Sequence, residues 1–242
     1  MKAIGIIPSR YASSRFPGKP LIDLKGKSMI QRVYENASKA SLLDDIIVAT
    51  DDKRIFQHVQ NFGGKVMMTS PDHTSGTDRC GEIAKLIDAD IIINIQGDEP
   101  LVDPNQLDLL LKAFEDKAVS IATLGSKNIT TEDLNNPNRI KIVTNVTNNA
   151  LYFSRSAIPN DYHFKDDALA YYPFLRHIGL YAFRRECLLE LIDLSPTKLE
   201  MTESLEQLRW LYYGYSIKVI ETDIETPNID VPEDVAKVLE LI

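Results

Sequence analysis

Short apolar runs alternate with amphipathic stretches through the first half of the chain. The apolar runs are bounded by turn residues, which predicts strands buried on both faces, at 3–7, 46–49, 65–68 and 91–95. The amphipathic stretches repeat apolar residues at helical spacing, which predicts helices at 28–40, 52–62 and 77–88. This alternation indicates an α/β fold with an open, mostly parallel sheet and helices on both faces.

The pattern changes in the second half. A helix at 104–115, opened by Pro104, and a strand at 118–124 continue the alternation. From 125 to 183 the helical periodicity weakens, and the predicted strands lie at 140–146, 150–154 and 174–183. We interpret residues 125–183 as a β-rich lobe inserted into a single domain of residues 1–242. The remaining predicted elements are helices at 185–193 and 200–213, a strand at 216–221 and a terminal helix at 232–241.

Composition and charge narrow the class of protein. Apolar residues make up 44% of the chain and charged residues 26%, which is ordinary for a globular protein. The net charge of −8 argues against a broad surface for nucleic acid, so any bound anion must meet a local basic cluster. Cys80 and Cys187 are far apart and lack metal-site spacing, which predicts neither zinc nor a disulfide. No apolar leader or membrane-spanning run is visible, so we expect a cytoplasmic protein.

A basic loop follows the first predicted strand. The segment PSRYASSRFPGKP at 8–20 places Arg10, Arg15 and Lys19 within ten residues, in a chain that is acidic overall. Guanidinium and ammonium groups together suit a polyphosphate, and ligands of open α/β sheets bind at the carboxyl ends of the strands. The loop lacks the GxxxxGK[ST] pattern, and Pro20 is expected to prevent the helix N-terminus that a Walker loop requires after Lys19. We therefore predict a phosphate site that is not a Walker loop, although a solvated basic loop is the alternative.

Acidic residues follow the most apolar strand and precede the last helix. In QGDEP at 96–100, Asp98 is expected at the rim of the sheet, where a carboxylate beside phosphates needs a cation such as Mg²⁺ between them. Gly97 would allow a close backbone approach. A turn or cap role for Asp98 is the alternative. In NIDVPED at 228–234, Asp230 with Glu233 three residues later has the pattern of a capping box, which we favour from the residues alone.

Scattered polar residues in the second half form a weaker group. His177, Gly179 and Tyr181 alternate onto one face of a predicted strand and could hydrogen-bond a polyol, although a buried structural histidine is the usual reading. Arg155 in YFSR and the pair Glu206-Gln207 on a predicted helix add further polar groups.

Eight segments in order over nearly the whole chain closely resemble the 3-deoxy-D-manno-octulosonate (Kdo) cytidylyltransferases. They are IIPSRYASSRFPGKPL, IIVATDD, SGTDR, NIQGDEPL, YFSRSAIP, RHIGLYAF, LEQLR and IDVPED. The resemblance implies a nucleotide-diphospho-sugar transferase-like fold. It also implies transfer of CMP from CTP to Kdo with release of pyrophosphate, for lipopolysaccharide synthesis, with Mg²⁺ as the cofactor. A homodimer built through the inserted lobe is implied as well.

The resemblance also assigns residues. It places the CTP phosphates on Arg10, Arg15 and Lys19, and Mg²⁺ on Asp98 and Asp230, with Lys19, Asp98 and Asp230 as the catalytic set. It places cytosine and ribose near Pro8, Ser9, Thr50, Asp51, Ser75, Arg79 and Gln96. The sugar acid would be held by Arg155, His177, Tyr181, Glu206 and Gln207. The segment 158–173 departs from the family pattern.

Other functions share part of this pattern. The 8-amino analogue of Kdo, sialic acid or a sugar phosphate would be the substrate of a related nucleotidyltransferase with a similar basic loop and Asp98. A non-catalytic nucleotide-binding protein on the same fold would bind CTP without releasing pyrophosphate.

Overall fold

The computed structural model describes residues 1–12, 16–160, 162 and 168–242. The predicted phosphate ligand Arg15 lies outside these described residues, as does part of the 158–173 segment. None of the helices in the described ranges combines the length and the apolar character that a membrane span requires.

Strands and helices are interspersed along the whole chain. The strands are β1 Ala3–Ser9, β2 Asp23–Leu24, β3 Lys27–Ser28, β4 Asp45–Thr50, β5 Val66–Met68, β6 Ile91–Asn94, β7 Ile121–Ser126, β8 Lys141–Thr144, β9 Ala150–Ser154, β10 Leu175–Arg184 and β11 Lys218–Thr222. The α-helices are α1 Met29–Ala37, α2 Lys53–Asn61, α3 Gly76–Leu86, α4 Pro104–Lys112, α5 Thr131–Asn135, α6 Ala168–Tyr171, α7 Arg185–Leu191, α8 Lys198–Glu203, α9 Gln207–Tyr212 and α10 Asp234–Leu239. Two 3-10 helices span Lys19–Leu21 and Ala113–Glu115.

The first compact unit comprises residues 1–111, 182–192 and 226–242. Its strands β6, β1, β4 and β5 are parallel neighbours in that order. The apolar side chains of β1, β4 and β6 are buried because helices such as α1 and α3 pack on them, as the sequence pattern predicts. The carboxyl ends of β1, β4 and β6 therefore lie at one edge, and the loops that leave this edge form the candidate site described below.

The second compact unit comprises residues 112–181 and 193–225. Here β7 and β11 pair in parallel, whereas β8 pairs antiparallel with β9 and with β10. Phe153, Leu180 and Trp210 are fully or almost fully buried in this unit. The predicted lobe at 125–183 lies mostly within it, and its status as an insertion in a single domain stays a prediction.

The α/β class is confirmed, with a mixed, mostly parallel sheet and helices on both of its sides. Pro20 lies in a short 3-10 helix, Lys19–Leu21, and α1 begins at Met29, so the structure shows no Walker-type helix directly after Lys19 in the described residues. Several local predictions are wrong. Among the described strands β5 pairs only with β4, and it leaves Met68 exposed, so it is not buried on both faces.

The predicted helix at 200–213 is two helices. α8 ends at Glu203, its C-cap Ser204 adopts the left-handed conformation with φ 51° and ψ 48°, and α9 begins at Gln207. The hairpin of β2 and β3, which turns through Lys25 and Gly26 at positive φ, was not predicted. The short helices α5 and α6 within 125–183 were not predicted either.

Candidate active site

A backbone hydrogen bond from Gly18 brings together the two ends of the basic loop after β1. Gly18 has φ +75° and donates its backbone N–H to the carbonyl of Tyr11 at 2.9 Å. A Cβ at this position would lie 3.1 Å from the Tyr11 ring, and the Arg54 guanidinium covers that ring at 3.3 Å from its centroid. Arg10, at the start of the loop, is exposed. The loop closure brings Lys19 to the start of the 3-10 helix.

Lys19 connects three distant segments of the chain. Its Nζ lies 2.8 Å from Oδ2 of Asp98 and 3.9 Å from Oδ1 of Asp230. It also donates to the carbonyl oxygen of Ile229 at 2.7 Å. The Lys19 side chain is only 12% exposed, so the ammonium is held in this position. The predicted catalytic residues Lys19, Asp98 and Asp230 therefore meet at one point.

The capping role predicted for Asp230 is wrong. α10 begins at Asp234, four residues later, with Glu233 as its N-cap and no side-chain cap. Instead, the Asp234 carboxylate accepts the backbone N–H groups of Asp230 at 2.9 Å and Val231 at 3.1 Å. These bonds hold the turn, and the Asp230 carboxylate reaches Lys19.

Gly97 allows the close backbone approach that the sequence predicts. A Cβ on Gly97 would lie 2.8 Å from the carbonyl oxygen of Pro8, a distance that real Cβ atoms essentially never show. The backbone cannot shift as cheaply as a flexible side chain. The end of β1 and the loop after β6 are therefore as close as a residue without a side chain permits.

Two buried polar atoms at this edge have no hydrogen-bond partner among the described residues: Oγ of Ser9 and Oδ1 of Asn94. Buried polar atoms normally find a partner, so a ligand is a candidate for that role. Asn94 was missed by the sequence analysis. The sequence does distinguish Asn94, because it is the one polar residue in the apolar run at 91–95.

The residues predicted near cytosine and ribose are bonded largely to one another or to the backbone. Arg79 is buried, with Nη2 3.1 Å from the Asp51 carboxylate and Nη1 bonded to Thr69 and to the Ser70 carbonyl. Thr50 Oγ1 accepts from the backbone of Asp52 at 3.2 Å. Ser75 caps α3 through a capping box with Asp78. Gln96 is half-buried beside Gly97. These bonds order the end of β4 and the start of α3.

The second unit contains the residues predicted to hold the sugar acid. On β10, His177, Gly179 and Tyr181 alternate with the buried Ile178 and Leu180, as predicted. The rings of His177 and Tyr181 lie 5.2 Å apart. Burial, with a smaller contribution from the neighbouring Arg176 charge, lowers the pKa of His177 to about 3, so the imidazole is neutral at pH 7. Burial likewise raises the pKa of the Tyr181 phenol well above its usual value.

Arg155 is fixed by backbone carbonyls. Its guanidinium donates to Glu203 at 2.6 Å, Pro137 at 3.0 Å and Ser204 at 3.3 Å. Lys141, which was not predicted, is fully buried and donates to the Arg155 carbonyl at 2.6 Å. Burial lowers the pKa of this lysine.

The remaining pair lies at the start of α9. Gln207 is buried, and its Nε2 has no partner among the described residues. Glu206 precedes it and lies close enough to Tyr181 to contribute to the raised pKa of that phenol. The two residues therefore place polar groups near the predicted face of β10.

Comparison with known proteins decides the family. The cytidylyltransferase family model matches residues 4–221. The 3-deoxy-manno-octulosonate cytidylyltransferase of Geotalea uraniireducens is 51% identical, over 99% of this chain and 98% of its own length. That of Bacteroides thetaiotaomicron is 54% identical, over 97% and 95%. The chain belongs to the 3-deoxy-manno-octulosonate cytidylyltransferase family. It is therefore a nucleotidyltransferase.

A solved structure agrees with this membership. A CMP:2-keto-3-deoxy-manno-octonic acid synthetase in complex with CTP superposes with a TM-score of 0.93 at 44% identity, over 100% of this chain and 98% of that one. A 4-diphosphocytidyl-2C-methyl-D-erythritol synthase from Anaerococcus prevotii, 14% identical with a TM-score of 0.64 over 99% of this chain and 96% of its own, shares the fold. The predicted nucleotide-diphospho-sugar transferase-like architecture is confirmed.

Proposed function

We propose that the protein transfers CMP from CTP to the anomeric hydroxyl of Kdo, producing CMP-Kdo and pyrophosphate for lipopolysaccharide synthesis. Membership of the cytidylyltransferase family supports the reaction class. The convergence of Lys19, Asp98 and Asp230 is the observation on which the assignment of the catalytic site rests.

The phosphate end of CTP is assigned to the basic loop. Lys19, Arg10 and Arg15 supply the positive charges, and Lys19 is the one held in place among the described residues of this set. The base and ribose are assigned to Pro8, Ser9, Thr50, Asp51, Ser75, Arg79 and Gln96. Asn94 joins this set because its buried Oδ1 needs a hydrogen-bond donor.

Asp98 and Asp230 fit a magnesium ion by the chemistry of their donors. Mg²⁺ prefers hard oxygen ligands and commonly takes one or two carboxylates together with substrate phosphates. In the described residues, no three His, Cys, Asp or Glu side chains converge as a complete metal site, so phosphate oxygens would supply further ligands. A bound Mg²⁺ would neutralise phosphate charge and favour the ionised sugar hydroxyl.

The side chains of the protein act mainly by stabilising charge on the phosphates and by orienting the substrates. The sugar oxygen attacks the α-phosphorus in line, the bond to pyrophosphate breaks, and the hydroxyl proton passes to solvent. Lys19 would stabilise the negative charge that develops on the phosphates, which lowers the barrier more than it tightens ground-state binding. Arg155, His177, Tyr181, Glu206 and Gln207 would orient the sugar acid through its carboxylate and hydroxyls.

We also propose a cytoplasmic homodimer built through the second unit. This unit exposes several large apolar side chains that a partner subunit would cover, namely Val146, Leu151, Met201 and Tyr212.

Pyrophosphate release with CTP, Kdo and Mg²⁺ tests the reaction, and UTP, GTP and other sugar acids test its specificity. Asp98→Asn should fold normally and turn over at least about a hundredfold more slowly, a barrier increase of roughly 2.7 kcal/mol. Asp88→Asn is the matched control, because the Asp88 side chain is 97% exposed and pairs only with Lys2 among the described contacts.

Two results would contradict the proposal. CTP binding without pyrophosphate release from the unaltered protein would indicate a non-catalytic nucleotide-binding protein. Normal turnover by Asp98→Asn would show that this carboxylate is not part of the catalytic set.

A further inference from the structure

Thr123 makes a set of contacts that the proposed reaction leaves unexplained. Its hydroxyl is fully buried on β7, and none of the preceding assignments uses it. Oγ1 lies 2.8 Å from the carbonyl oxygen of Leu180, 3.3 Å from that of Ile178 and 3.0 Å from Nε2 of His177. One hydroxyl therefore contacts the backbone of β10 and an imidazole on the same strand.

The direction of these hydrogen bonds follows from what each atom can do. A carbonyl oxygen only accepts, and a threonine hydroxyl has one hydrogen to donate. Two oxygens 2.8 Å apart require a hydrogen between them, so the Thr123 hydroxyl donates to Leu180. Its remaining capacity is as an acceptor. The contact at 3.0 Å is therefore a bond in which Nε2–H of His177 donates to Oγ1 of Thr123.

This assignment determines the other nitrogen of the ring. The imidazole is neutral, because burial holds its pKa far below 7. A neutral imidazole with its hydrogen on Nε2 has a lone pair on Nδ1. No described residue bonds to Nδ1, and His177 keeps part of its surface accessible. Phe153 and Tyr181 pack against the ring, each 5.2 Å from it between centroids, and limit its rotation.

We propose that Thr123 is a positioning residue that holds His177 in the Nε2–H tautomer, so that Nδ1 accepts a hydrogen bond from a hydroxyl of the sugar acid. This inference rests on the proposed function for the identity of the donor, but the tautomer itself does not. It explains why a hydroxyl-bearing side chain stands in a fully buried strand position next to a histidine.

Nitrogen NMR of protein labelled with ¹⁵N-histidine tests the tautomer directly. The chain has four histidines, and the spectrum of His177→Gln identifies the signals of His177. We expect a protonated Nε2 and an unprotonated Nδ1 at neutral pH in the absence of substrate. Thr123→Val removes the acceptor at nearly constant volume and should give a mixture of tautomers. Thr123→Ser retains the hydroxyl and should restore the Nε2–H form.

Steady-state kinetics then tests the consequence. Thr123→Val should raise KM for the sugar acid about threefold to tenfold and leave KM for CTP unchanged, the size expected for one hydrogen bond of about 1 kcal/mol. Thr123→Ser should remain close to the unaltered protein. Thermal unfolding of all variants verifies that they fold.

The experiments distinguish failure of the Thr123 assignment, failure of the binding role of Nδ1 and failure of the proposed function. A protonated Nδ1 in the unaltered protein, or an unchanged tautomer in Thr123→Val, would overturn the assignment of Thr123. An Nε2–H tautomer combined with an unchanged KM for the sugar acid would overturn the binding role of Nδ1. Absence of pyrophosphate release from the unaltered protein would instead contradict the proposed function, with the NMR result intact.

Discussion

At the residue scale, two neighbouring carboxylates have different tasks. The Asp230 carboxylate lies 3.9 Å from the Lys19 ammonium, whereas the Asp234 carboxylate accepts two backbone N–H groups before α10. The sequence NIDVPED did not distinguish them, because an acidic residue fits a helix cap as well as a charged ligand. The distinction depends on Lys19, which is more than two hundred positions away in the chain.

Asp230→Asn separates charge from hydrogen bonding. The variant should unfold at nearly the same temperature but lose at least about tenfold in turnover, or roughly 1.4 kcal/mol, because a hard cation beside triphosphate needs the negative charge. Part of the activity should return at raised magnesium. The comparison is Asp234→Ala, which should lose about 1 kcal/mol of stability as its backbone bonds disappear. Full activity of Asp230→Asn at ordinary magnesium would remove this carboxylate from the catalytic set.

His177 gives a second prediction at this scale. Its folded pKa of about 3 lies below the usual 6.5, so the unfolded chain binds the proton more readily. The contribution of neutral His177 to the free energy of unfolding is therefore complete above pH 6.5. It declines as the pH falls toward 3, by at most about 1.4 kcal/mol per pH unit. Thermal unfolding between pH 7 and 5 should decline less steeply for His177→Gln than for the unaltered protein. Parallel profiles would contradict a lowered pKa of His177 in the folded protein.

At the element scale, the helix break at Ser204 shows where sequence periodicity fails. Residues 200–213 contain no glycine or proline, and their apolar spacing fits one helix. The carbonyls of Glu203 and Ser204 instead accept hydrogen bonds from Arg155, about fifty positions earlier in the chain. A contact between distant segments thus overrides local propensity. The strands β1, β4 and β6 were predictable because burial on both faces leaves a continuous apolar run.

Substitution at Ser204 tests this account. Ser204→Gly should retain or raise the free energy of unfolding by up to about 1 kcal/mol, because glycine adopts positive φ without strain. Ser204→Val should lower it by roughly 1–2 kcal/mol, because a branched side chain opposes the left-handed conformation. Ser38, which ends α1 at φ −64°, is the control. There the glycine variant should be less stable. Urea denaturation provides the measurement, and equal effects at both serines would contradict the account.

At the scale of the whole molecule, the family and its architecture were accessible from ordered motifs that span nearly the entire chain. The chain has a net charge of −8, and the basic loop stands out against it, which is what pointed to a phosphate site. The partners of individual side chains were not accessible, as the Arg79–Asp51 ion pair and the buried Lys141 illustrate. These pairings depend on tertiary distances that periodicity does not encode.

The proposed homodimer gives a prediction at this scale. Leu151→Asp introduces a charge at a 60% exposed position of the second unit and should shift the protein toward monomer in light scattering. Leu86→Asp is matched in chemistry and exposure, at 65%, but belongs to the first unit, and it should leave the mass unchanged. Identical masses for both variants and the unaltered protein would contradict assembly through this surface.

The 2.8 Å approach of Gly97 to the Pro8 carbonyl has a consequence for how this site tolerates evolutionary change. Glycine at position 97 sets this spacing, because even one added carbon would push the segment after β6 away from the end of β1. Divergence toward a bulkier nucleotide or sugar would then have to proceed through the surrounding loops, while the spacing between β1 and the segment after β6 stays constant.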